Sequence, residues 1–553
     1  MTTPPTRVQA IELLDELRHL MELRGENPFK IRAFEKASNL LEALDEKTDL
    51  AELAKTGRLT DLPGIGKGIS EVLTEFHLTG KSKARDEMAE SLPAGLLELT
   101  TLPGLGPKKA IQLIEALDVH SIGELEYACR ENRVLKLKGF GEKAQIKFLE
   151  GIEFLKGNAG QQRLVDVFDF AEQLLGTLVK EMPQGLRVSE AGMLRRRMET
   201  LAQLDFLIEK PAGEAGAQLQ KKMEETLSAF LSRVPLKISV QLHFAERACF
   251  GYELAKLSSS AEHWNALGNP QPFEAKTELD FYTHLNLPLI PAETRETGEE
   301  VAMARSGALE QLLPWNGVQG VFHNHTTRSD GVASLEQMVE AAQKLGYKYI
   351  GISDHSQTAV YAQGLKGEDL LDQEQEIRVV QKKFPDIRIF WGIESDILAD
   401  GSLDYDDQVL KRFDFVVASV HSRFQMDKEA MTDRILTAIR NPYTRFLGHA
   451  TGRLLLGRKG YDIHMDRIIA EAARCNVAIE INANPARLDI DWRWGKHLRD
   501  ANTPVSINPD AHATEGLKDT VYGISVARKA LLPIGQIVNS RSVQDVERWL
   551  QRK

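Results

Sequence analysis

The sequence predicts a multidomain protein. It should have α-helical domains at the N-terminus, an α+β region in the middle and an α/β barrel of about seven strands at the C-terminus. Three observations carry this. Residues 1–155 have helical periodicity broken by three similar glycine turns. Residues 160–260 mix amphipathic helices with strand-like runs. From about residue 314 onward, strand and helix patterns alternate, as in a closed or nearly closed parallel sheet. The 553 residues are 42% apolar and 27% charged, which suits several ordinary cores.

In the N-terminal part, VQAIELLDELRHLMEL and IRAFEKASNLLEAL place apolar residues on one helical face. The turns LPGIGKG (62–68), LPGLGPK (102–108) and LKGFGEK (137–143) each precede a helix-like run, so they form an internal repeat of a small unit. They resemble helix-hairpin-helix elements. In such a hairpin the glycines, here Gly64, Gly66, Gly104, Gly106 and Gly141, let backbone N–H groups approach a DNA phosphate. The following helix N-terminus favours the negative charge. One copy is equally a tight turn without a ligand. Three copies, two with Lys67 or with Lys108 and Lys109 close behind, favour DNA. NPFKIRAFEKA (27–37) presents Lys30 and Arg32 near the first hairpin.

In the middle, AQLDFLIEK and PLKISVQLHF read as strands among helices. Residues 261–312 carry Pro, Gly and charge clusters (LGNPQPFEAKTE, LPLIPAETRETGEE), which predict a small subdomain followed by a linker.

In the C-terminal part, six apolar runs end in chemistry-bearing residues: GVQGVFHNH, YKYIGISDH, IRIFWGIES, FDFVVASVH, TRFLGHA and TPVSINPDAH. Parallel barrels place their sites at strand carboxyl ends. His323, His325, Asp330, His355, Glu394, His421, His449, Asp510 and His512 are therefore candidate ligands for Zn²⁺ or Mn²⁺. One such histidine is ordinarily a satisfied strand-end residue; nine ligands in order are not. Asp354 is placed to orient an imidazole. Arg453 and Arg458 are either phosphate clamps or surface charges.

Net charge is −11, which argues mildly against a nucleic-acid partner for the chain as a whole. A separate basic surface escapes that objection. Cys129, Cys249 and Cys475 lie far apart with no CxxC, so neither a disulfide framework nor a cysteine zinc site is expected. MTTPPTRVQAIELLDEL lacks a secretory pattern and no run is long enough to span a bilayer, so the expected compartment is the cytoplasm, with no membrane partner.

The two N-terminal units resemble the lyase and fingers domains of family X DNA polymerases, with Lys30 at the position that receives a 5′-phosphate. The family's lysine nucleophile on the helix after the first hairpin is replaced by Val72. The stretch EAGMLRRRMETLAQLDFLIE (190–209) resembles the family's palm motif at Gly192, Arg195, Arg196, Glu199, Thr200 and Asp205. Met193 stands where a serine holds the incoming triphosphate, Gln203 where the first metal-binding aspartate is expected, and Gln241 where the third is. KLSSSAEHWNAL replaces the family's aromatic-Thr-Gly-Ser run. Two-metal transfer needs several carboxylates. The palm should therefore keep its nucleotidyltransferase-like fold, hold Mg²⁺ and dNTP weakly, and polymerise little.

FHNHTTRSDG, SDHS, GIESD, SVHS, GHATGR, INANP and PDAH follow the motif order of the polymerase-and-histidinol-phosphatase (PHP) domain, a distorted TIM-like barrel. The resemblance implies up to three ions. One takes His323, His325, Glu394 and Asp510; a second shares Glu394 and adds His421 and His449; a third takes Asp330, His355 and His512. The implied domains are lyase-like (1–85), fingers (86–158), palm (159–260), thumb and linker (261–313) and PHP (314–553). The implied activity is metal-dependent 3′–5′ exonuclease or 3′-end phosphodiesterase chemistry in DNA repair, on gapped or 3′-ended duplexes, with His323, Asp354 and Arg453 as candidate catalytic residues. A Mn²⁺-dependent gap-filling polymerase, a small-molecule phosphatase and a non-catalytic DNA-binding scaffold are the other readings.

Overall fold

The chain divides into two units, Met1–Ala159 and Gly160–Lys553. The computed structural model describes residues 5–42, 44, 48–130, 133–232 and 238–551.

The first unit is helical throughout and holds two cores. The helices Arg7–Leu23, Pro28–Glu42, Leu50–Lys55 and Lys67–Thr79 bury Leu14, Leu17, Phe34, Leu41 and Leu73. Thr6 starts the first of them, accepting from Gln9 N at 3.3 Å in a capping box. The helices Leu96–Thr100, Pro107–Leu117, Ile122–Arg130 and Glu142–Gly157 bury Leu99, Leu113, Ala128, Phe148 and Ile152. The three glycine turns share one geometry. Gly64, Gly104 and Gly139 take φ of 100°, 84° and 92°, a region that favours glycine. Two residues later Gly66, Gly106 and Gly141 are extended and cap the helices starting at Lys67, Pro107 and Glu142, with no side-chain cap bond.

The second unit starts with a three-stranded sheet of β1 (Val188–Ala191), β2 (Gln203–Lys210) and β3 (Ser239–Glu246). β2 is central, antiparallel to β1 and parallel to β3. The first residues of the strand-like run PLKISVQLHF lie outside the described residues. The helices Leu164–Glu181 and Gly213–Leu231 bring Val167, Phe170, Leu174 and Met223 onto Phe206 and Ile208 of β2.

Residues 261–313 differ from the sequence expectation. The segment read as a linker is packed. Glu293, Thr294, Arg295 and Glu296 are buried, and Arg295 donates to Ile290 O and to Glu278 Oε1 at 2.6 Å. Charge clusters suggested exposure, but here the charges neutralise one another inside. His263 illustrates this: its Nδ1 meets Glu300 at 2.6 Å and its Nε2 meets Tyr282 Oη at 2.9 Å.

Seven parallel strands follow in sequence order: β4 (Gly320–Val321), β5 (Tyr349–Ile352), β6 (Arg388–Asp396), β7 (Phe415–Ser419), β8 (Thr444–Leu447), β9 (Ala478–Asn482) and β10 (Val505–Asn508). The ring nearly closes. Asn324 bridges Ala511 in parallel register, and His325 N donates to Ala511 O at 2.8 Å. Asn539 ties the same seam, donating to Gly320 O and Ile507 O, both at 2.9 Å.

An aromatic plug fills the lower barrel. Phe322, Tyr349, Phe390, Phe415 and Phe446 come from successive strands, with ring centroids 4.8 Å apart for Phe322 and Phe446. Glycine at 392 makes room for it, because a Cβ there would overlap the Phe415 ring. The helix Val543–Gln551 covers the plug with Val546, Trp549 and Leu550. With the lower half filled by hydrocarbon, the polar residues that follow each strand meet at the other end. No helix among the described residues is long and apolar enough to cross a membrane.

Candidate metal centre

The nine candidate ligands converge above the aromatic plug. Atoms within 4.8 Å of one another form four overlapping groups: His325, Asp330, His355 and His512; His323, Glu394 and His449; His323, His325 and Asp510; and His355, Glu394 and His421. This is more interlaced than the expected partition. His325 also faces the third set, because its ring stacks on His355 at 4.5 Å and on His512 at 4.2 Å. His355 also reaches Glu394, with Nδ1 at 2.9 Å from Oε2.

The backbone is bent to serve this geometry. His449 and Asp510 have φ of 23° and 53°, conformations that side-chain-bearing residues avoid unless the surroundings impose them. Asp330 and His512 are 30% and 39% exposed in their side chains, whereas His323, His325 and Glu394 are at most 1% exposed. The centre therefore opens to solvent on the Asp330–His512 side.

Partners behind the ligands fix which nitrogen points inward. His323 Nδ1 lies 2.8 Å from Glu480 Oε1, so Nδ1 carries the hydrogen and Nε2 presents its lone pair. Asp396 does the same for His421 Nδ1, and the carbonyl of Asp510 for His512 Nδ1 at 2.9 Å. Glu480 also accepts from the His449 backbone N at 2.8 Å and from Asn508 Nδ2 at 3.1 Å.

Several atoms of these residues are buried without a hydrogen bond among the described residues: His323 Nε2, His325 Nδ1, His449 Nδ1 and Glu394 Oε2. Buried polar atoms are nearly always paired. Here His323 Nε2 comes to 3.2 Å from Glu394 Oε1 without hydrogen-bond geometry, while His449 Nε2 meets the same oxygen at 3.1 Å. That donor set fits divalent cations bound through imidazole nitrogen and carboxylate oxygen.

The electrostatics agree. Burial alone would neutralise Glu394, yet His421, His323 and His355 hold its carboxyl well below the usual range. Burial opposes protonation of His355, but Glu394 and Asp330 lift it to about 11. Burial, reinforced by His512 and His355, drops His325 to about 3. The site thus holds anionic carboxylates beside imidazoles pushed in opposite directions, His355 and His421 up and His325 and His449 down.

Two candidate catalytic residues take other roles. Asp354 does not serve as an imidazole orienter. Its oxygens accept from Thr326 N at 2.7 Å, Thr326 Oγ1 at 2.8 Å, Ser329 Oγ at 2.5 Å and Gln373 Nε2 at 2.6 Å. It therefore clamps the loop that leads to Asp330. Arg453 does not face the centre as a phosphate clamp. It donates to Arg487 O at 3.0 Å, to Leu488 O and to Asp491. Arg458 is likewise spent, donating to Gly452 O at 2.8 Å while lying over the Phe424 ring.

Sequence reasoning missed Glu480, Asp396 and Arg487. Glu480 had a signal, being a carboxylate inside the apolar strand AIEIN. Asp396 had another, since it follows Glu394 by two and so shares its strand face. Arg487 lies beside the candidate ligands, with Nε 3.6 Å from Asp510 Oδ2.

The palm presents a different picture. Asp205 Oδ1 accepts from Gln203 Nε2 at 2.7 Å and lies 2.8 Å from His243 Nε2, and Gln241 sits opposite it in register. Gly192 has φ 59°, and a Cβ there would overlap the Asp205 carboxylate. Met193 packs on the palm core. Arg196 pairs with Glu296 at 3.1 Å, Arg195 with Glu278, and Glu199 with Arg493 at 2.9 Å. KLSSSAEHWNAL folds as a short helix capped by Ser260.

In the first unit, Lys30 is half-exposed and pairs with Glu26 at 3.1 Å. Val72 packs against the first helical core. An added Cβ at Gly66, Gly106 or Gly141 would meet nothing within 4 Å, so the fold itself does not require glycine there.

Comparison with known proteins supports the same division. A helix-hairpin-helix domain model matches residues 5–82, a SAM-like helix-hairpin-helix tandem model residues 96–145, and a PHP domain model residues 322–484. The DNA polymerase/3′-5′ exonuclease PolX of Bacillus subtilis (strain 168) is 36% identical over 579 residues, covering 98% of this chain and 99% of that protein. Shorter matches include a probable phosphatase of Caldanaerobacter subterraneus subsp. tengcongensis, 26% identical over 42% of this chain and 90% of that protein. Another, from Caldicellulosiruptor bescii, is 33% identical over 29% of this chain and 63% of that protein.

Proposed function

The chain belongs to the PolX family of family X DNA polymerases, and from that membership we propose that it is a DNA repair enzyme whose working site is the barrel. It acts as a metal-dependent 3′–5′ exonuclease, hydrolysing phosphodiesters at DNA 3′ ends. The observation that carries this reading is the set of buried, unpaired imidazole and carboxylate atoms facing one another around Glu394.

His323, His325, Asp330, His355, Glu394, His421, His449, Asp510 and His512 hold the ions, and Mn²⁺ or Zn²⁺ suits so imidazole-rich a set better than Mg²⁺. Bound ions supply Lewis acidity toward a phosphate oxygen and lower the pKa of water toward neutrality. The protein's own part is positioning. Glu480 and Asp396 hold His323 and His421 in one tautomer. Asp354 fixes the loop of Asp330. A DNA end enters on the exposed Asp330–His512 side.

The hairpins bind the duplex backbone. The helix starts at Lys67, Pro107 and Glu142 offer uncapped N–H groups behind Gly66, Gly106 and Gly141, with Lys67 and Lys108 nearby. Lys30 contacts a 5′-phosphate. The palm retains its fold and contributes little synthesis, since Asp205 is the sole carboxylate among Gln203, Asp205 and Gln241.

The test is a labelled gapped duplex incubated with Mn²⁺, with and without nucleotides, for wild type and His323→Ala. Shortening that the substitution abolishes, without lengthening, is expected. Shortening that survives His323→Ala places the nuclease elsewhere. Clear lengthening overturns the assignment of Gln203 and Gln241 as disabling.

A further inference from the structure

We propose that Arg487 is the phosphate fork of the barrel site. It grips a pair of non-bridging oxygens on the 3′-terminal phosphodiester beside the ligands. The inference rests on the exonuclease reading and adds the residue that recognises its substrate's charge.

Arg487 differs from Arg453 and Arg434. Arg453 donates to Arg487 O, Leu488 O and Asp491. Arg434 is saturated by Ile397 O, Leu398 O and Ser422 O. The Arg487 guanidinium makes no hydrogen bond among the described residues, although its side chain is only 22% exposed. Its one ion pair among the described residues is with Asp510 Oδ2, at 3.6 Å from Nε, beyond hydrogen-bond length. That oxygen already accepts from Asn482 Nδ2 at 3.1 Å. None of its nitrogens is sealed from solvent, so its N–H donors are open to an incoming acceptor. A phosphate offers two coplanar oxygens that match the fork.

Its position selects the same ligand. Asp510 lies between the guanidinium and the imidazoles, with Oδ1 at 3.1 Å from His325 Nε2. An anion held by Arg487 is therefore held next to the ligand cluster. The segment is also braced. Arg453 binds the carbonyls of Arg487 and Leu488, and Arg487 N donates to Asn484 O at 2.8 Å. The arginine that looked like a clamp in the sequence is thus the buckle that presents the real one.

The full-length chain loaded with Mn²⁺ tests this with Arg487→Gln and Arg487→Lys. Three readouts are compared: kcat and KM on a 5′-labelled duplex, bound manganese, and the affinity for inorganic phosphate by calorimetry. Losing one charge-assisted fork should weaken phosphate binding about tenfold or more and raise KM similarly in Arg487→Gln. Arg487→Lys should recover part of both, and manganese content should match wild type in each. Phosphate binding unchanged in Arg487→Gln overturns the proposal. So does a loss of manganese, which would make the residue a support of the ligand shell. A wild type that binds phosphate through Arg487 but leaves DNA intact sinks the exonuclease reading and spares the fork.

Discussion

The second unit contains two places built for chemistry on phosphates, and they have gone opposite ways. In the palm, most groups inherited by resemblance have protein partners, and one buried nitrogen, Arg196 Nε, is ion-paired without a hydrogen bond. Asp205 is held by Gln203 and His243, Arg196 by Glu296, Arg195 by Glu278 and Ser189. In the barrel, buried nitrogen and oxygen atoms are left unpaired and pointed at one another. Folding normally removes such atoms. Where they persist in a cluster, the structure is holding a place for a cation. Where a candidate ligand is held by protein partners, as Asp205 is, the proposed reading is that the place has been given up. Hydrogen-bond satisfaction separates a live site from a vestigial one better than the presence of a motif does.

The largest effect should come from Glu394, which faces His323, His355, His421 and His449 at once. Glu394→Gln keeps the shape but removes the negative charge that these imidazoles share. Exonuclease activity should fall about a thousandfold or more, given several kcal/mol of lost electrostatic stabilisation. Metal analysis should show fewer ions per chain. Near-normal digestion by Glu394→Gln would remove the distinction between the two sites.

Glu480 sharpens the comparison from one layer further out. Glu480→Gln no longer imposes one tautomer on His323, and it weakens the hold on the His449 backbone. Loss of such an outer partner lowers metal affinity about 10- to 100-fold. Manganese titration of activity should show a shifted midpoint with the plateau largely regained at high Mn²⁺. A lowered plateau with an unshifted midpoint would instead assign Glu480 to the chemistry.

Much of this was legible in the sequence, and the boundary is instructive. The cluster of candidate ligands could be read because six apolar runs end in or just before its residues, and the parallel strands carry them to one end of the barrel, with Asp330 joining from the loop after the first run. The hairpins could be read because Gly-x-Gly repeated three times. The outer partners could not, because Glu480 and His323 are 157 positions apart and meet only when strands β4 and β9 take their places in the ring. The sequence left Arg453 and Arg458 as either phosphate clamps or surface charges. Only the path of the 484–491 segment shows Arg453 taken up by the carbonyls of Arg487 and Leu488. The linker expectation failed because composition cannot reveal that Arg295, Glu278, Glu296 and Lys529 neutralise one another inside.

The smallest expected effect concerns the palm, and it asks whether carboxylates alone were lost. Gln203→Asp with Gln241→Asp, placed on His323→Ala to silence the barrel, would set two new carboxylates beside Asp205. Without metal, crowding of like charges in a partly buried sheet should cost about 1–2 kcal/mol of stability. Added Mn²⁺ should raise the Tm of this variant more than that of His323→Ala alone, because binding to the folded state stabilises it. Primer extension should nevertheless stay within a few-fold of background. Arg196 remains tied to Glu296, whose Oε1 also holds Lys529 at 3.0 Å, and Met193 offers no hydroxyl. Robust extension would mean that the missing carboxylates were the whole defect. Metal-dependent stabilisation without extension would mean that the palm's arginines have been committed to packing against the barrel, so that refitting the metal site no longer restores a place for the nucleotide.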